Sequence, residues 1–170
     1  MIILMAGLPG TGKTTLAREL ARVSNGAVVS KDLIRAALFA AKDIEYSVKQ
    51  DDFVMEIMLD VGRYLLQKDA TRKVFLDGRT FSSRYQIDRV LDFAREIDQP
   101  WTIIESICSD DSARRRLDVE RDLSHPAGNR SFALYLEVKA RFEPIPYPKT
   151  TICTDGPLAQ CIEQALKYIG

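Results

Sequence analysis

The chain has 170 residues, 46% of them hydrophobic, which is enough for one domain with a proper core. Its 24 basic and 24 acidic residues balance, and this argues against a dedicated binder of long nucleic acid, which usually has a basic excess. Its three cysteines lack metal-ligand spacing, so we expect reduced thiols and a cytoplasmic protein. The first apolar run, residues 2–6, is too short for a secretory leader or a membrane span, and we expect no membrane contact.

The start of the chain predicts a buried strand followed by a phosphate-binding loop. The strand at 2–6 runs into GLPGTGKT at 7–14, which fits the pattern G-x-x-x-x-G-K-[ST]. A helical apolar repeat follows and meets a stop signal at Asn25-Gly26. A strand, a glycine-rich turn and a helix in this order are the context that the pattern requires. The sequence therefore predicts a site for a nucleoside triphosphate.

Each residue type in this loop has a chemical reason. Glycines allow backbone N–H groups to converge on phosphate oxygens, and the positive end of the following helix faces the same anion. Lys13 is expected to reach the β- and γ-phosphates, and the Thr14 hydroxyl to ligate Mg²⁺. The predicted nucleotide-binding residues of the loop are Leu8, Pro9, Gly10, Thr11, Gly12, Lys13, Thr14 and Thr15.

The second strand, 27–30, leads into a predicted helix over 31–41 with Ser30 as its N-cap. Asp32 and Arg35 are three residues apart and therefore share one face of that helix. A carboxylate at this place can orient a substrate hydroxyl for in-line attack on the γ-phosphate, and Arg35 suits an anionic or hydroxyl-rich acceptor. The same spacing also fits an exposed salt bridge, and the residues alone leave both interpretations open.

The middle of the chain predicts two capped helices with a buried strand between them. Ser47 and Ser83 each begin a capping box. The apolar face predicted for the first helix comprises Phe53, Ile57, Val61 and Leu65. The strand at 73–77 (KVFLD) ends in Asp77, an arrangement typical of a Walker B carboxylate that holds Mg²⁺ through water. Because Asp77-Gly78 is also a turn dipeptide, a simple strand-end turn is the alternative.

The final third predicts two more strands, 101–108 and 150–153, with a helix over 131–142 between them. Cys108 and Cys153 fall in these apolar segments, where a small buried thiol is the ordinary role. Five apolar strands that alternate with helices predict an α/β fold, a five-stranded parallel sheet with helices on both faces. We expect the ligands beyond the carboxyl ends of the strands.

Three segments together resemble the small P-loop kinases: GLPGTGKTT, SKDLIR after the second strand, and FLDGRTFSSR after the third. This group includes polynucleotide 5′-kinase domains, chloramphenicol phosphotransferase, zeta toxins and many "predicted kinases" with an AAA-type domain. The resemblance spans essentially the whole chain. It implies a P-loop NTPase fold in a single domain, residues 1–170, with a small helical lid at about 112–131. It also implies a kinase that uses ATP and Mg²⁺.

The resemblance implies roles for individual residues. In that family the aspartate at the position of Asp32 is the general base, and the arginine at the position of Arg35 contacts the acceptor. With Lys13, these residues are the predicted catalytic centre. Asp32 is also counted with Thr14 and Asp77 among the residues near Mg²⁺.

The family closes a basic lid over the phosphates, and Arg116 and Arg121 look like its catalytic, nucleotide-binding arginines. Arg115 and Arg130 are the reserves, and a solvated basic helix face is the structural alternative. Arg84 is similar to a further family arginine. The loop after the fifth strand packs around adenine in that family, which assigns the nucleotide to Asp155, Gly156 and Pro157 here.

A hydroxyl group of a small molecule is the favoured acceptor, because the chain is neutral overall. A 5′-hydroxyl polynucleotide kinase, whose partner would be a nucleic acid, is the first alternative. A nucleotide-dependent switch without transfer is the second, and it would need no base at Asp32. Residues 36–60, including Tyr46, Phe53 and Met55, are expected to shape the acceptor pocket. The sequence leaves the oligomeric state open.

Overall fold

The computed structural model describes residues 1–122 and 130–170, and the side chains of all these residues except 120–122. Five strands and seven α-helices occur in this part of the chain. The strands are β1 (Ile2–Ala6), β2 (Gly26–Ser30), β3 (Lys73–Asp77), β4 (Trp101–Ile107) and β5 (Thr150–Cys153). The helices are α1 (Lys13–Val23), α2 (Lys31–Leu38), α3 (Val48–Lys68), α4 (Arg84–Glu96), α5 (Asp110–Asp122), α6 (Phe132–Ala140) and α7 (Leu158–Ile169), and a 3₁₀ turn at Ala41–Asp43 precedes α3.

The five strands form one parallel sheet in the order β2-β3-β1-β4-β5. β1 lies at its centre, where Ile2 stands opposite both Val74 of β3 and Trp101 of β4. The chain fills the sheet on one side of β1 before it crosses to the other, so the strand order reverses at β1. In open parallel sheets such a reversal opens a crevice beyond the carboxyl ends of the strands. The predicted α/β fold with a parallel sheet is confirmed.

Apolar side chains cover both faces of the sheet. On one face α1 and α7 pack against the strands, with Leu16, Leu20 and Ala165 fully buried. On the other face lie α3 and α4, whose Met58 and Val90 are fully buried. Because both faces of the sheet are buried, the sequences of the strands are continuous apolar runs. None of the described helices combines the length and the apolar character needed to cross a bilayer.

A third, smaller core joins α5 and α6 to the loop after β1. Ala113 and Leu117 of α5 pack with Tyr135 of α6, and Leu8 of the loop packs against this group. The first half of α5 is therefore anchored beside the loop. The lid predicted at 112–131 begins within this packed helix, and its residues 123–129 lie outside the described part of the chain.

The helix predicted over 31–41 is shorter in the structure. It ends at Leu38, and Phe39 is already extended. The ring of Phe39 packs edge-to-face on Phe53 of α3, with 6.1 Å between the ring centroids. Ser30 does occupy the N-cap position, but within the described chain its side chain makes no cap hydrogen bond.

The predicted apolar face of α3 is also wrong, because Phe53 and Val61 are exposed. The buried residues are Gln50, Val54, Met55, Met58, Leu59, Gly62 and Leu66. Met58, Leu59 and Leu66 of this face pack into the main core, and Gly62 lies on the same side, where a Cβ would make an ordinary contact with Cγ1 of Val74 at 3.5 Å. The helix therefore turns its glycine toward the sheet and leaves a second apolar stripe in solvent.

Neither predicted capping box forms completely in the described structure, because Gln50 Oε1 accepts from the Glu45 N–H at 3.1 Å and not from the N–H of the N-cap residue Ser47. Ser47 Oγ accepts a hydrogen bond from the Gln50 amide at 3.1 Å, as expected. The Ser83 side chain makes no cap bond in the described structure. Instead, the carboxylate of Glu143, remote in sequence, accepts the hydrogen bond of the Arg84 N–H at 2.7 Å.

The three cysteines are all described and are all free thiols. Cys161, which belongs to a helix, is the buried one, whereas Cys108 is half-buried and Cys153 is exposed. The prediction of a buried thiol at Cys153 was therefore wrong, because alternate residues of the edge strand β5 face solvent.

Candidate functional site

The loop between β1 and α1 takes a shape that glycine alone permits at two positions. Gly7 has a φ of +130°, and a Cβ there would lie 2.2 Å from the carbonyl oxygen of Ser106. Gly12 has a φ of +80° and is the N-cap of α1. Between them the Thr11 hydroxyl donates to the Leu8 carbonyl at 2.8 Å and closes the loop on itself. The loop thus presents the N-terminus of an 11-residue helix, a ready anion site.

Lys13 is held inside this loop. Its ammonium donates to the carbonyl oxygens of Gly7 and Leu8 at 2.8 and 2.7 Å, and the residue is 7% exposed. Burial lowers the pKa of Lys13 to about 8, while the negative charges of Asp77 and Asp32 act in the opposite direction. The ammonium is therefore near two carboxylates and can exchange carbonyl partners for phosphate oxygens.

Thr14 and Asp77 meet at the end of β3. The Thr14 hydroxyl donates to Asp77 Oδ2 at 2.8 Å, and Asp77 is 1% exposed. The other carboxylate oxygen, Oδ1, is buried and has no hydrogen-bond partner among the described residues. The described side chains contain no group of three His, Cys, Asp or Glu that could enclose a metal ion. An orphaned carboxylate oxygen beside a hydroxyl still fits Mg²⁺, which prefers few protein oxygens together with water and phosphate.

Asp32 stands in the first turn of α2 and lines the same cleft as Lys13 and Thr14. Its Oδ1 lies 3.9 Å from Nη1 of Arg35, at the outer limit of an ion pair. Arg35 is only 3% exposed, so the pair is not the surface salt bridge that the spacing also allowed. The arrangement leaves the carboxylate of Asp32 accessible from the cleft.

Arg35 has a closer carboxylate partner in Asp51 of α3. Asp51 also accepts from the Lys31 ammonium at 2.9 Å, so one carboxylate serves two buried cations. Desolvation lowers the pKa of Lys31, and the positive charge of Arg35 adds to this, while Asp32 opposes it. The guanidinium of Arg35 also lies over the Tyr46 ring, 5.2 Å from its centroid. These contacts fix the side chains of the first turn of α2.

These elements enclose a cleft of about 590 Å³. The loop and the start of α1 form one wall, the first turn of α2 another, and the segment after β3 and helix α6 complete it. Tyr46 lines the cleft as predicted. Phe53 is exposed and Met55 lies in the main core, so the pocket roles predicted for these two residues were wrong.

The residues that sequence reasoning missed are mostly in this cleft. Arg79 is 4% exposed, lines the cleft and donates to Asp52 Oδ1 at 2.6 Å. It stands in the FLDGRT segment directly after β3, which is the signal that could have identified it. Arg84, which resembled a family arginine, has a side chain that is 66% exposed and pairs with Asp88 at 3.5 Å. Lys31 and Asp51 gave no comparable signal.

Arg116 lies beside the loop but does not line this cleft. Its guanidinium donates to the hydroxyl and the carbonyl oxygen of Thr154 at 2.9 and 2.6 Å, and to the Gly10 carbonyl at 3.3 Å. Asp155 accepts from the Ser109 N–H at 2.8 Å, at the start of α5. α5, the loop and the end of β5 are therefore tied together at one point.

The remaining predicted residues are placed as follows. Gly156 is exposed and Pro157 is the N-cap of α7, next to the Asp155 contact. Arg121 falls in α5, but its side chain lies outside the described residues. Of the two reserve arginines, Arg115 donates to Ser112 within α5 at 3.0 Å, whereas Arg130 lines the cleft, close enough to Lys13 to lower its pKa.

Comparison with protein families gives one match. Residues 2–145 fit a family model described as an AAA domain, which covers most of the chain including the loop, the cleft and α5. No curated protein matches the chain.

Solved structures share the fold over nearly the full length. A protein from Chloroflexus aurantiacus J-10-fl that is proposed to be a kinase is 20% identical, with a TM-score of 0.75 over 98% of this chain and 97% of its own. The Mycobacterium tuberculosis APS kinase CysC, solved with AMPPNP and APS, is 13% identical, with a TM-score of 0.71 over 98% and 95%. A gluconokinase from Sinorhizobium meliloti 1021 is 14% identical, with a TM-score of 0.67 over 99% and 90%. At these identities the likeness shows the fold.

Proposed function

The chain belongs to the AAA-domain family of P-loop kinases, and from that premise we propose that it is an ATP-dependent phosphotransferase. It acts as a single domain over residues 1–170 and moves the γ-phosphate of ATP to a hydroxyl group of a small molecule. Two of the structural neighbours support this direction by what their names describe. One is an APS kinase solved with the ATP analogue AMPPNP and with APS, and the other is a gluconokinase.

One observation carries the proposal: Lys13 and Asp32 line the same cleft, although they come from different elements. Lys13 belongs to the phosphate-binding loop, and Asp32 is near enough for its charge to raise the pKa of the Lys13 ammonium. A transferase needs this pairing, because the acceptor hydroxyl must be held between a carboxylate and the γ-phosphate. A protein that only switches between nucleotide states needs no such acceptor space.

Lys13 and Asp32 have different roles in the proposed transfer. Lys13 leaves the carbonyls of Gly7 and Leu8 for phosphate oxygens and offsets the charge that develops during transfer. The acceptor oxygen forms its bond to the γ-phosphorus while the bond from that phosphorus to the β–γ bridging oxygen breaks. The hydroxyl proton passes to Asp32, and ADP leaves. Because the transition state is loose, Asp32 chiefly orients the hydroxyl.

Thr14 and Asp77 are the residues that would hold Mg²⁺, Thr14 directly and Asp77 through water. Bound Mg²⁺ would neutralise charge on the β- and γ-phosphates. Asp77 keeps the Thr14 hydroxyl in place through their 2.8 Å hydrogen bond. Asp32 belongs to the acceptor side in this proposal.

The base of the nucleotide would lie on the side of the loop marked by Arg116 and residues 155–157. Arg116 and Thr154 brace the loop there, which supports a nucleotide-positioning role for Arg116. Arg130 lines the cleft near Lys13 and is the arginine best placed to approach the γ-phosphate. Arg121 stays a candidate from the family pattern.

Transfer of label from γ-labelled ATP tests the proposal. The panel contains nucleosides, sugars, aminoglycosides and 5′-hydroxyl oligonucleotides, with Mg²⁺ present, and the Lys13→Ala variant is the control. We expect labelled product from one small-molecule class, and none from Lys13→Ala, because the cation that faces the migrating group is gone. Labelled oligonucleotide would favour the polynucleotide kinase. Transfer by a folded Lys13→Ala protein near the parent rate would refute the kinase assignment.

A further inference from the structure

The basic side chains of the cleft outnumber its acidic ones. Among the residues that the structure describes, seven basic and two acidic side chains line it. Lys13, Arg18 and Arg130 lie on the side of the phosphate-binding loop, and binding of the nucleotide's triphosphate explains why basic residues are present there. Lys31, Arg35 and Arg79 form a second group away from the loop, which we call the cationic cluster. The seventh basic residue, Arg141, pairs with Glu137 at 3.4 Å. The nucleotide gives no reason for this cluster.

The cationic cluster is buried in a way that costs free energy. Lys31, Arg35 and Arg79 are 7%, 3% and 4% exposed. The charge of Arg79 lowers the pKa of both Arg35 and Lys31, which places the three positive charges within mutual reach. Buried cations that repel one another are retained only where an anion compensates them.

The carboxylates of the protein compensate the cluster only in part. Asp51 pairs with Lys31 and Arg35, and Asp52 pairs with Arg79. The third carboxylate, Asp32, lies at the outer limit of an ion pair with Arg35, at 3.9 Å, and its charge opposes the lowering of the Lys31 pKa. The cluster is therefore balanced by one shared, one close and one distant carboxylate, while the lining of the cleft as a whole keeps its excess of basic side chains.

The cluster also keeps hydrogen-bond donors unused. In the described structure, the buried Nε atoms of Arg35 and Arg79 have no hydrogen-bond partner. Both guanidinium groups are held in place by aromatic rings, Arg35 over Tyr46 at 5.2 Å and Arg79 over Tyr85 at 6.0 Å. A fixed guanidinium with a free N–H is the preferred partner of a carboxylate or phosphate.

From this geometry, and resting on the proposed function, we propose that the acceptor alcohol carries an oxyanion, a carboxylate or a phosphate, which binds at the cationic cluster. The anion lies against Arg79 and Lys31, and the hydroxyl group of the same molecule reaches Asp32. A cleft of about 590 Å³ suits a molecule of this small size. The cluster then selects charged alcohols over neutral ones.

Equilibrium binding tests this without any need for transfer. AMPPNP first occupies the nucleotide site, and calorimetry then compares hydroxy acids and sugar phosphates with neutral alcohols of the same carbon skeleton, such as gluconate with glucose and glycerol 3-phosphate with glycerol. We expect the charged member of at least one pair to bind roughly tenfold to a hundredfold more tightly. The carboxylate and phosphate pairs show which oxyanion the site takes. Equal affinity within every pair, or no binding by any charged member, would overturn the proposal.

Variants of the cationic cluster test whether the preference for charged alcohols arises there. Arg79→Met should reduce the charged-over-neutral preference at least tenfold, and Arg79→Lys, which restores the charge, should recover part of it. Arg84→Met removes an exposed arginine outside the cleft and should leave the preference unchanged. If Arg79→Met does not fold, Lys31→Met provides the same comparison. An unchanged preference in the folded variant would refute the role of the cluster.

The two proposals fail separately. A charged alcohol that binds but receives no label would support the anion site and contradict the transferase. Label that passes only to neutral alcohols would keep the transferase and remove the anion site.

Discussion

Replacing Asp32 by asparagine separates what this carboxylate does for catalysis from what it does for the fold. Asp32 lies in the first turn of α2, where loss of a negative charge costs about 0.3–1 kcal/mol of stability. Breaking a close buried ion pair costs about 3–5 kcal/mol, but the contact of Asp32 with Arg35 is long, 3.9 Å, and Arg35 retains Asp51, so its loss should cost less than that. A general base contributes roughly 10²- to 10⁴-fold to turnover, or about 2.7–5.5 kcal/mol of activation free energy. The loss of turnover should therefore exceed the loss of stability.

Three measurements on Asp32→Asn check this reasoning: label transfer at saturating ATP, AMPPNP affinity, and unfolding in urea. We expect a large fall in turnover, nearly unchanged nucleotide affinity and a small fall in the free energy of unfolding. Asp111→Asn is the matched control, because Asp111 is an exposed carboxylate in the first turn of α5. It should show the small stability effect alone. A folded Asp32→Asn protein that transfers phosphate at the parent rate would refute the assignment and favour the switch.

Further predictions concern the loop and its support. Because burial lowers the pKa of Lys13 to about 8 and a bound phosphate would raise it, nucleotide affinity should be full below pH 8 and fall above it, by up to about tenfold per pH unit. Nucleotide binding near pH 8 should therefore be accompanied by proton uptake, which calorimetry in buffers of different ionisation heat can detect. The Lys13→Arg variant should show no such uptake, and uptake that persists in it would exclude Lys13 as the group that takes up the proton. Arg116→Ala should weaken AMPPNP binding in a fluorescence titration, whereas Arg115→Ala should not; equal affinities would leave Arg116 without a role at the nucleotide. Gly7→Ala should lower the free energy of unfolding by on the order of 3 kcal/mol, because its Cβ would lie 2.2 Å from a carbonyl oxygen. Gly156→Ala, whose nearest neighbouring atom would be 3.9 Å away, should change it little, and matching urea midpoints for the two variants would contradict the steric argument.

The features that the sequence predicted well are those encoded over short distances. The strand at 2–6, the loop after it and the helix from Lys13 follow from apolar runs and glycine spacing, and the structure has all three. Ser47 caps α3 because the capping bond spans three residues. Local chemistry decides such features, so a single sequence suffices for them.

The features that the sequence missed depend on partners remote along the chain. Asp51 pairs with Lys31 across 20 residues, and Arg79 pairs with Asp52 across 27, and no spacing rule connects them. The buried face of α3 was misassigned because the helix is apolar on two stripes, and packing against remote residues of the core, through Met58 and Leu59, selects one of them. Tertiary packing therefore decided what local pattern could not.

The hydroxyl of Thr154 has a consequence for how the protein folds. It donates to the Thr11 carbonyl at 2.9 Å, across 143 residues of the chain. It also accepts from Arg116, whose guanidinium donates to the Gly10 carbonyl across 106 residues. Contacts of such long sequence separation close slowly, because the chain entropy of a large loop must be lost first. During synthesis, the loop at 7–14 is made long before residue 154 and stays unbraced until that residue has emerged. The loop thus acquires its final form only after a segment far downstream of it has been made.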